Sequence, residues 1–332
     1  MTVTALPPLP DEFGFAGMFA GVSGGALLCA GGANFPEQSL AQGGKKKWHD
    51  RVFALNPPDG AWRDAGRLPW ANGYGVSATW RDAVVLAGGG DATTNFRAVL
   101  LVRWDGAHLS FEPLPPLPVA TANGCGTVVG DTLYVAGGQD SPTATGALRR
   151  CFAMDLTPSV RVWHEIPWPP SAPGRILAVA AAHDGWFYVF SGADLFANAA
   201  GQAERRYLED AWRYQPATGW QRLADLPHAV AAAPSPAITG NGARIVIAGG
   251  VSPEFLARLP KDRTHPGFPS DFLAYDIAAN TWAAHPGPAA PLPAPARVTA
   301  PLAKWNDIFV VPSGEVAPGV RTPTVVAFSP KP

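Results

Sequence analysis

Apolar residues gather in runs of four or five, and each run ends in a small residue followed by glycine. The first three are Leu27-Leu-Cys-Ala-Gly31-Gly32, Val84-Val-Leu-Ala-Gly88-Gly89 and Leu133-Tyr-Val-Ala-Gly137-Gly138. Phe187-Tyr-Val-Phe-Ser191-Gly192, Ile245-Val-Ile-Ala-Gly249-Gly250 and Ile308-Phe-Val-Val-Pro-Ser313-Gly314 repeat the pattern. The pairs begin at 31, 88, 137, 191, 249 and 313. Runs this short, bounded by glycine, read as strands rather than helices. A polar loop and a second apolar run follow, as in Arg51-Val-Phe-Ala-Leu-Asn56, Cys151-Phe-Ala-Met-Asp155 and Phe272-Leu-Ala-Tyr-Asp276. After a turn comes a segment opening on an aromatic residue: Trp62, Trp163, Trp220 and Trp282. A Leu-Pro or Ile-Pro step (Leu68-Pro69, Ile166-Pro167, Leu226-Pro227, Leu292-Pro293) then leads into a small-residue stretch such as Gly75-Val-Ser-Ala78.

Four strands per unit at a spacing of 49 to 64 residues predict an all-β fold, a six-bladed kelch-type β-propeller with four antiparallel strands per blade. A four-stranded sheet with two apolar faces cannot bury both alone, whereas sheets arranged radially stack face on face. The tryptophans fit as wedges between blades. The last unit stops at Val325-Val-Ala-Phe328-Ser-Pro330, after its third strand. Thr2-Val-Thr-Ala-Leu6-Pro7 has the form of the missing fourth. The expectation is one domain over residues 1–332, with the strand at about 2–7 completing the blade built from about 297–330. Such closure removes a free sheet edge. Gly14 to Val22 supplies the first strand of the first blade, and Pro286 to Pro295 a blade-to-blade connection.

Composition narrows the function. The chain has 332 residues, 36 glycines and 36 prolines, too many breakers for long helices to dominate. A hydrophobic fraction of 47% with 12 tryptophans supports a large core. Formal net charge is −1, which excludes a nucleic-acid binder working by bulk electrostatics. Three cysteines exclude a disulfide scaffold and give no zinc-ligand spacing, so no metal is expected. No stretch reaches the ~18 apolar residues of a membrane span. The first ten residues show neither a basic nor an apolar signal region. The expected compartment is therefore the cytoplasm, or the periplasm if a signal has been removed; oligomeric state stays open.

Function on a rigid ring belongs in the loops around the channel mouth. The loops after each glycine pair carry Asn34, Asp91, Gln139, Asp140, Asp194, Glu254 and Glu315. The loops leading into each blade add Asn72, Asn123, Arg175, His228 and Arg297. Of these, Asn34, Asn72, Asn123, Gln139 and Arg175, together with Trp48, are the expected substrate contacts. The alternative for each is an ordinary polar loop residue. The densest segment is Ser313-Gly-Glu315-Val-Ala-Pro-Gly-Val-Arg321-Thr322, where an acid and an arginine lie six apart on a Pro-Gly turn. A carboxylate can act as a base, and a guanidinium can grip a carboxylate through two parallel hydrogen bonds. A plain loop salt bridge is the competing reading. Lys45-Lys46-Lys47 could attract an acidic ligand, with Trp48 to stack on it, but reads first as a solvated basic loop; His49-Asp50 reads as a turn, and Cys125 as lacking a nearby base.

Certain segments resemble the N-acetylneuraminate epimerase (sialic acid mutarotase) family of six-bladed kelch propellers. They are Gly14-Phe-Ala-Gly17, Ala30-Gly-Gly-Ala-Asn34-Phe35, Gly44-Lys-Lys-Lys-Trp-His-Asp50, Tyr74-Gly-Val-Ser77 and Gly249-Gly-Val251. The most specific is Gly-Glu-x-x-Pro-Gly-x-Arg-Thr at 314–322. The likeness runs through nearly the whole chain in cyclically permuted order, which a closed ring tolerates. The resemblance implies an isomerase, free of cofactor and metal, that interconverts the α and β anomers of the small sugar acid N-acetylneuraminate. It implies Glu315 as proton acceptor and Arg321 beside it. Substrate preference is expected to vary in the loops Glu37–Lys47 and Phe255–Pro269. Alternatives are a non-catalytic propeller that binds a protein or glycan partner, and a mutarotase for another sugar acid.

Overall fold

Along the strand Ala26–Ala30, Leu27 and Cys29 pack with Trp305, Val310 and Ala327, while Leu28 and Ala30 pack with Val84, Leu86 and Val102. Alternate side chains of a strand point to opposite faces, so a strand apolar throughout must be covered on both. That requirement, repeated, builds a wheel. The computed structural model describes residues 1–37, 40–240, 242–253, 267–285 and 296–329. These residues form six four-stranded sheets and three two-stranded hairpins. From the channel outward, blade 1 runs Phe19–Ser23, Ala26–Ala30, Arg51–Leu55 and Trp62–Arg67. Blades 2 to 5 begin at Val76–Trp80, Cys125–Val129, Val179–His183 and Ile238–Thr239. Blade 6 comprises Ala303–Trp305, Ile308–Pro312, Val325–Ser329 and, outermost, the amino-terminal strand Thr2–Leu6. Thr2 lies opposite Ser329 and Leu6 opposite Val325, so the two chain ends share one sheet.

A separate apolar cluster fills each seam between neighbouring blades. Phe190 and Tyr188 of blade 4 meet Ile245 and Tyr275 of blade 5, and Trp305 of blade 6 meets Phe53 of blade 1. The tryptophans of the outer strands lean across these seams. Trp62 Nε1 donates to Pro7 O at 2.8 Å, Trp163 Nε1 to Pro115 O at 2.8 Å and Trp282 Nε1 to Ala224 O at 2.9 Å. Each ring thus buries area in the seam and satisfies its polar edge on the preceding blade.

A second device closes the ring at the hub. The backbone N–H of Tyr74 donates to Gly17 O, Asn123 to Tyr74, Leu177 to Asn123, Ala232 to Leu177, Thr299 to Ala232 and Gly17 to Thr299, all at 2.7–2.8 Å. These residues occupy equivalent lead-in positions, and all have positive φ, from 51° at Thr299 to 66° at Gly17. Non-glycine residues rarely adopt that conformation, and a closed belt of hydrogen bonds over-determines it. The glycine pairs answer a related demand. At Gly31, φ is +63° and an added Cβ would stand 2.2 Å from Asn72 O, so no side chain fits. Ser313 holds the matching place in blade 6 with φ 57°; its Oγ accepts from Phe15 N–H at 2.7 Å and donates to Thr322 O at 2.7 Å. Among the described residues no helix is long and apolar enough to cross a membrane.

Candidate functional site

After Gly314 the chain folds into a short hairpin, Glu315–Ala317 paired with Val320–Arg321, and its register sets Glu315 opposite Arg321. Facing residues of antiparallel strands share a side, which brings two groups six apart in sequence together. Gly319 makes the turn with φ +78°, and an added Cβ there would meet Leu40 Cβ at 2.5 Å. Backbone bonds fix the hairpin to the hub: Glu315 N–H donates to Val298 O at 3.0 Å and Val298 N–H to Glu315 O at 2.9 Å. Val298 adjoins Thr299 of the belt.

The carboxylate oxygens differ. Oε1 accepts from Gly319 N–H at 2.7 Å, and Oε2 stands 3.5 Å from Arg321 Nη2. The Glu315 side chain is 18% exposed and that of Arg321 4%. The guanidinium lies over the Phe35 ring, 4.6 Å from its centroid. Arg321 Nε and Nη1 are buried and have no hydrogen-bond partner. Buried donors without partners are costly, and an acceptor entering beside Arg321 would satisfy them. Arg321 also forms a wall of a cavity of about 320 Å³ with Phe13, Phe35, Glu37, Gln42 and Val320. A pocket of that size, mostly apolar with the Arg321 cation on one wall and the Glu37 carboxylate on another, suits a small polar organic molecule.

A second hollow of about 220 Å³ lies at the mouth of blades 1 to 3 and is lined by Lys46, Trp48, Tyr74, Asp91, Asn123 and Gln139. Trp48, Asn123 and Gln139 thus sit where a ligand has access. Lys46 departs from the expected solvated loop: its Nζ lies 4.3 Å from the Tyr74 ring centroid and 5.0 Å from that of Trp48. The channel bore is narrower, about 80 Å³, and belt residues line it.

Three expected substrate contacts belong to the scaffold instead. Asn34 is 1% exposed; its Nδ2 donates to Gly14 O at 3.0 Å and its Oδ1 faces His49 Nε2 at 2.8 Å. Asn72 Nδ2 donates to Gly88 O at 3.0 Å. Arg175, 1% exposed, pairs with Asp210 at 2.7 Å and donates to Ser191 O at 3.1 Å. The cause is common to Asn72 and Arg175. Their side chains turn into the seam and cap the carbonyls of the tight glycine turn, which strand pairing leaves open. Arg297 does the same with Ser313 O at 3.2 Å, and burial pushes its pKa down to about 10. Asp194 is paired with Arg206 at 2.7 Å. His49 packs edge-on to Phe15 at 5.1 Å, and burial lowers its pKa. Cys125 is buried, and burial pushes its thiol up to about 12, which leaves no thiolate to act as a nucleophile. Glu254, the Pro286–Pro295 connection and most of Phe255–Pro269 lie outside the described residues. Among the described residues no group of three His, Cys, Asp or Glu is placed to hold a metal.

Phe13, Phe35 and Tyr74 are site-lining residues that position and composition did not single out. Phe35 and Tyr74 do fall in the segments that carry the family resemblance, which is the signal that marked them.

The family described as N-acetylneuraminate epimerase matches residues 4–111 and 114–265. An N-acetylneuraminate epimerase of Yersinia pestis (strain Pestoides F) is 43% identical over 112 residues, 30% of this chain and 27% of the relative. Those of Haemophilus influenzae (strain PittEE) and Brucella suis are 37% identical over 125 residues and 40% over 124. The matched stretches span about a third or less of these relatives' own length. The solved structure of YjhT superimposes with a TM-score of 0.65 at 14% identity, over 82% of this chain and 84% of that one, and so shares the fold.

Proposed function

The chain belongs to the N-acetylneuraminate epimerase family, and from that premise we propose that it interconverts the α and β anomers of N-acetylneuraminate or a close sugar acid. The matched residues end before the 314–322 segment, so the roles of Glu315 and Arg321 rest on their geometry and their motif. The observation that carries the reading is the Arg321 guanidinium: two buried donors without a protein partner, beside a carboxylate, on the wall of a cavity.

Mutarotation asks little of a protein. The anomeric hydroxyl loses a proton as the bond from the anomeric carbon to the ring oxygen breaks, and the ring oxygen gains one. The open ketone turns about its neighbouring carbon–carbon bond and closes on the other face. Glu315 Oε2 is the base for the first step and returns the proton at closure, while Oε1 stays tethered to Gly319 N–H. Arg321 holds the sugar carboxylate, which keeps the open form in place until it recloses. Phe35 and Phe13 supply apolar walls to the same cavity. Saturation-transfer NMR on equilibrated N-acetylneuraminate tests the proposal. Exchange between the anomer signals is expected to rise in proportion to protein concentration. Exchange at the spontaneous rate for N-acetylneuraminate and related sugar acids alike would leave the non-catalytic binding propeller as the better description.

A further inference from the structure

The hairpin Ala33–Asn34 with Lys47–Trp48 pairs Ala33 with Trp48 and Asn34 with Lys47. Phe35 follows the first strand and Lys46 precedes the second, at the same end of the hairpin. Phe35 stacks on the Arg321 guanidinium, while Lys46 reaches over Tyr74 into the second hollow. One hairpin therefore joins the anion cavity to a neighbouring hollow of about 220 Å³ with a different character. Its polar groups have capacity to spare. The ammonium of Lys46 has no carboxylate partner within ion-pair distance among the described residues. Asp91 Oδ1 takes the N–H groups of Thr93 and Thr94, both at 2.8 Å, and leaves Oδ2 for a ligand. Gln139 donates to Ser141 O at 2.8 Å, which leaves its amide oxygen as an acceptor. Asn123 is held at φ 57° by the hub belt, so its backbone is fixed before any ligand arrives.

A cation, a carboxylate, three planar amides and two aromatic rings around one small space match a chain of adjacent hydroxyl groups. Each hydroxyl both donates and accepts, and the amide and carboxylate side chains can bridge neighbours. From this we infer that the hollow is the subsite for the polyhydroxylated tail of the sugar acid whose carboxylate Arg321 holds. Lys46, Asn123 and Gln139 then determine specificity for tail length. The inference rests on the function proposed above.

The test compares N-acetylneuraminate with its tail-shortened derivative, made from the methyl glycoside by mild periodate cleavage and borohydride reduction, then freed by acid hydrolysis of the glycoside. Wild-type protein is expected to show a KM about tenfold higher for the shortened acid at similar kcat, the worth of one or two lost hydrogen bonds. Lys46→Met, Asn123→Gly and Gln139→Ala are each expected to raise KM for the full-length acid severalfold, and to leave KM for the shortened acid unchanged. Glycine keeps the positive φ that the belt imposes, and methionine keeps the stem over the rings, so folding is preserved. Equal KM values for the two acids in wild type overturn the subsite. Variants that raise KM for both acids alike, or lower kcat at constant KM, do the same. Calorimetric titration of both acids into wild-type protein separates the two failures. Without anomer exchange the activity is wrong, yet a tenfold difference in binding still supports the hollow, and equal binding refutes it.

Discussion

Replacing Arg175 by methionine separates a scaffold role from a ligand role. The Arg175 side chain is fully buried, its ion-pair partner Asp210 is 13% exposed, and the two meet at 2.7 Å. The same Asp210 oxygen accepts from Trp212 Nε1 at 2.6 Å, and Arg175 Nη1 donates to Ser191 O at 3.1 Å. Methionine fills similar space but leaves a buried carboxylate and a carbonyl uncompensated. Breaking a buried pair from one side costs about 3–5 kcal/mol. For 332 residues the unfolding entropy is about 0.7 kcal/mol/K. The melting temperature should therefore fall by roughly 4–7 °C. Calorimetry gives that number directly, and anomer exchange at 20 °C or so gives the activity of the folded protein, expected within about twofold of wild type. Adding Asp210→Asn removes the orphaned charge and should recover part of the loss. An unchanged melting temperature together with a KM raised tenfold or more would show that Arg175 serves the ligand and that the seam assignment is wrong.

Three further outcomes follow. Trp305 is 1% exposed and its Nε1 donates to Gly25 O at 2.9 Å, tying blade 6 to blade 1; Trp305→Ala should cost about 3–5 kcal/mol in urea unfolding. Burial lowers the pKa of His49 and of His285. The unfolded chain then takes up protons first as pH falls through the ordinary histidine range, about 6.5, and stability is lost on acidification. The urea midpoint should be lower at about pH 5.5 than at 7.5, and His49→Gln with His285→Gln should flatten the change; a midpoint that rises on acidification contradicts the burial account. Cys29, Cys125 and Cys151 are free and buried, and burial raises all three thiols. Native protein at about pH 8 should resist iodoacetamide, and urea-unfolded protein should take up three labels; rapid labelling of Cys125 in the native state would contradict its placement.

The wheel was legible because its physical requirement recurs: a strand apolar on both faces, then a turn where backbones approach too closely for side chains. The stitching of Thr2–Leu6 onto Val325–Ser329 was legible for the same reason, since one unit lacked its outer strand. The hub belt was not. Its positive-φ positions are filled by Tyr74, Asn123, Leu177, Ala232 and Thr299 as well as Gly17, and nothing in those residue types announces the conformation. Position in a loop also failed to distinguish mouth from seam. Asn72 and Asn123 occupy neighbouring lead-ins, yet one caps Gly88 O and the other lines a hollow. Asn123 holds a belt position with φ 57°, whereas Asn72 stands before the belt residue Tyr74 of its own lead-in. Lys46 looked solvated because the nearer of its two aromatic partners, Tyr74, is remote in sequence. Glu315 and Arg321 could be singled out because the turn between them is short enough to dictate its own register.

The central claim is that Glu315 and Arg321 act on one bound sugar acid, and anomer exchange in variants of the two measures it most directly. Glu315→Gln keeps the shape and the Gly319 contact but removes the base; Arg321→Ala removes the anion clamp. Each is expected to lose about a hundredfold or more of the protein-dependent exchange of N-acetylneuraminate while melting within a few degrees of wild type. Wild-type exchange rates in both variants would contradict the account.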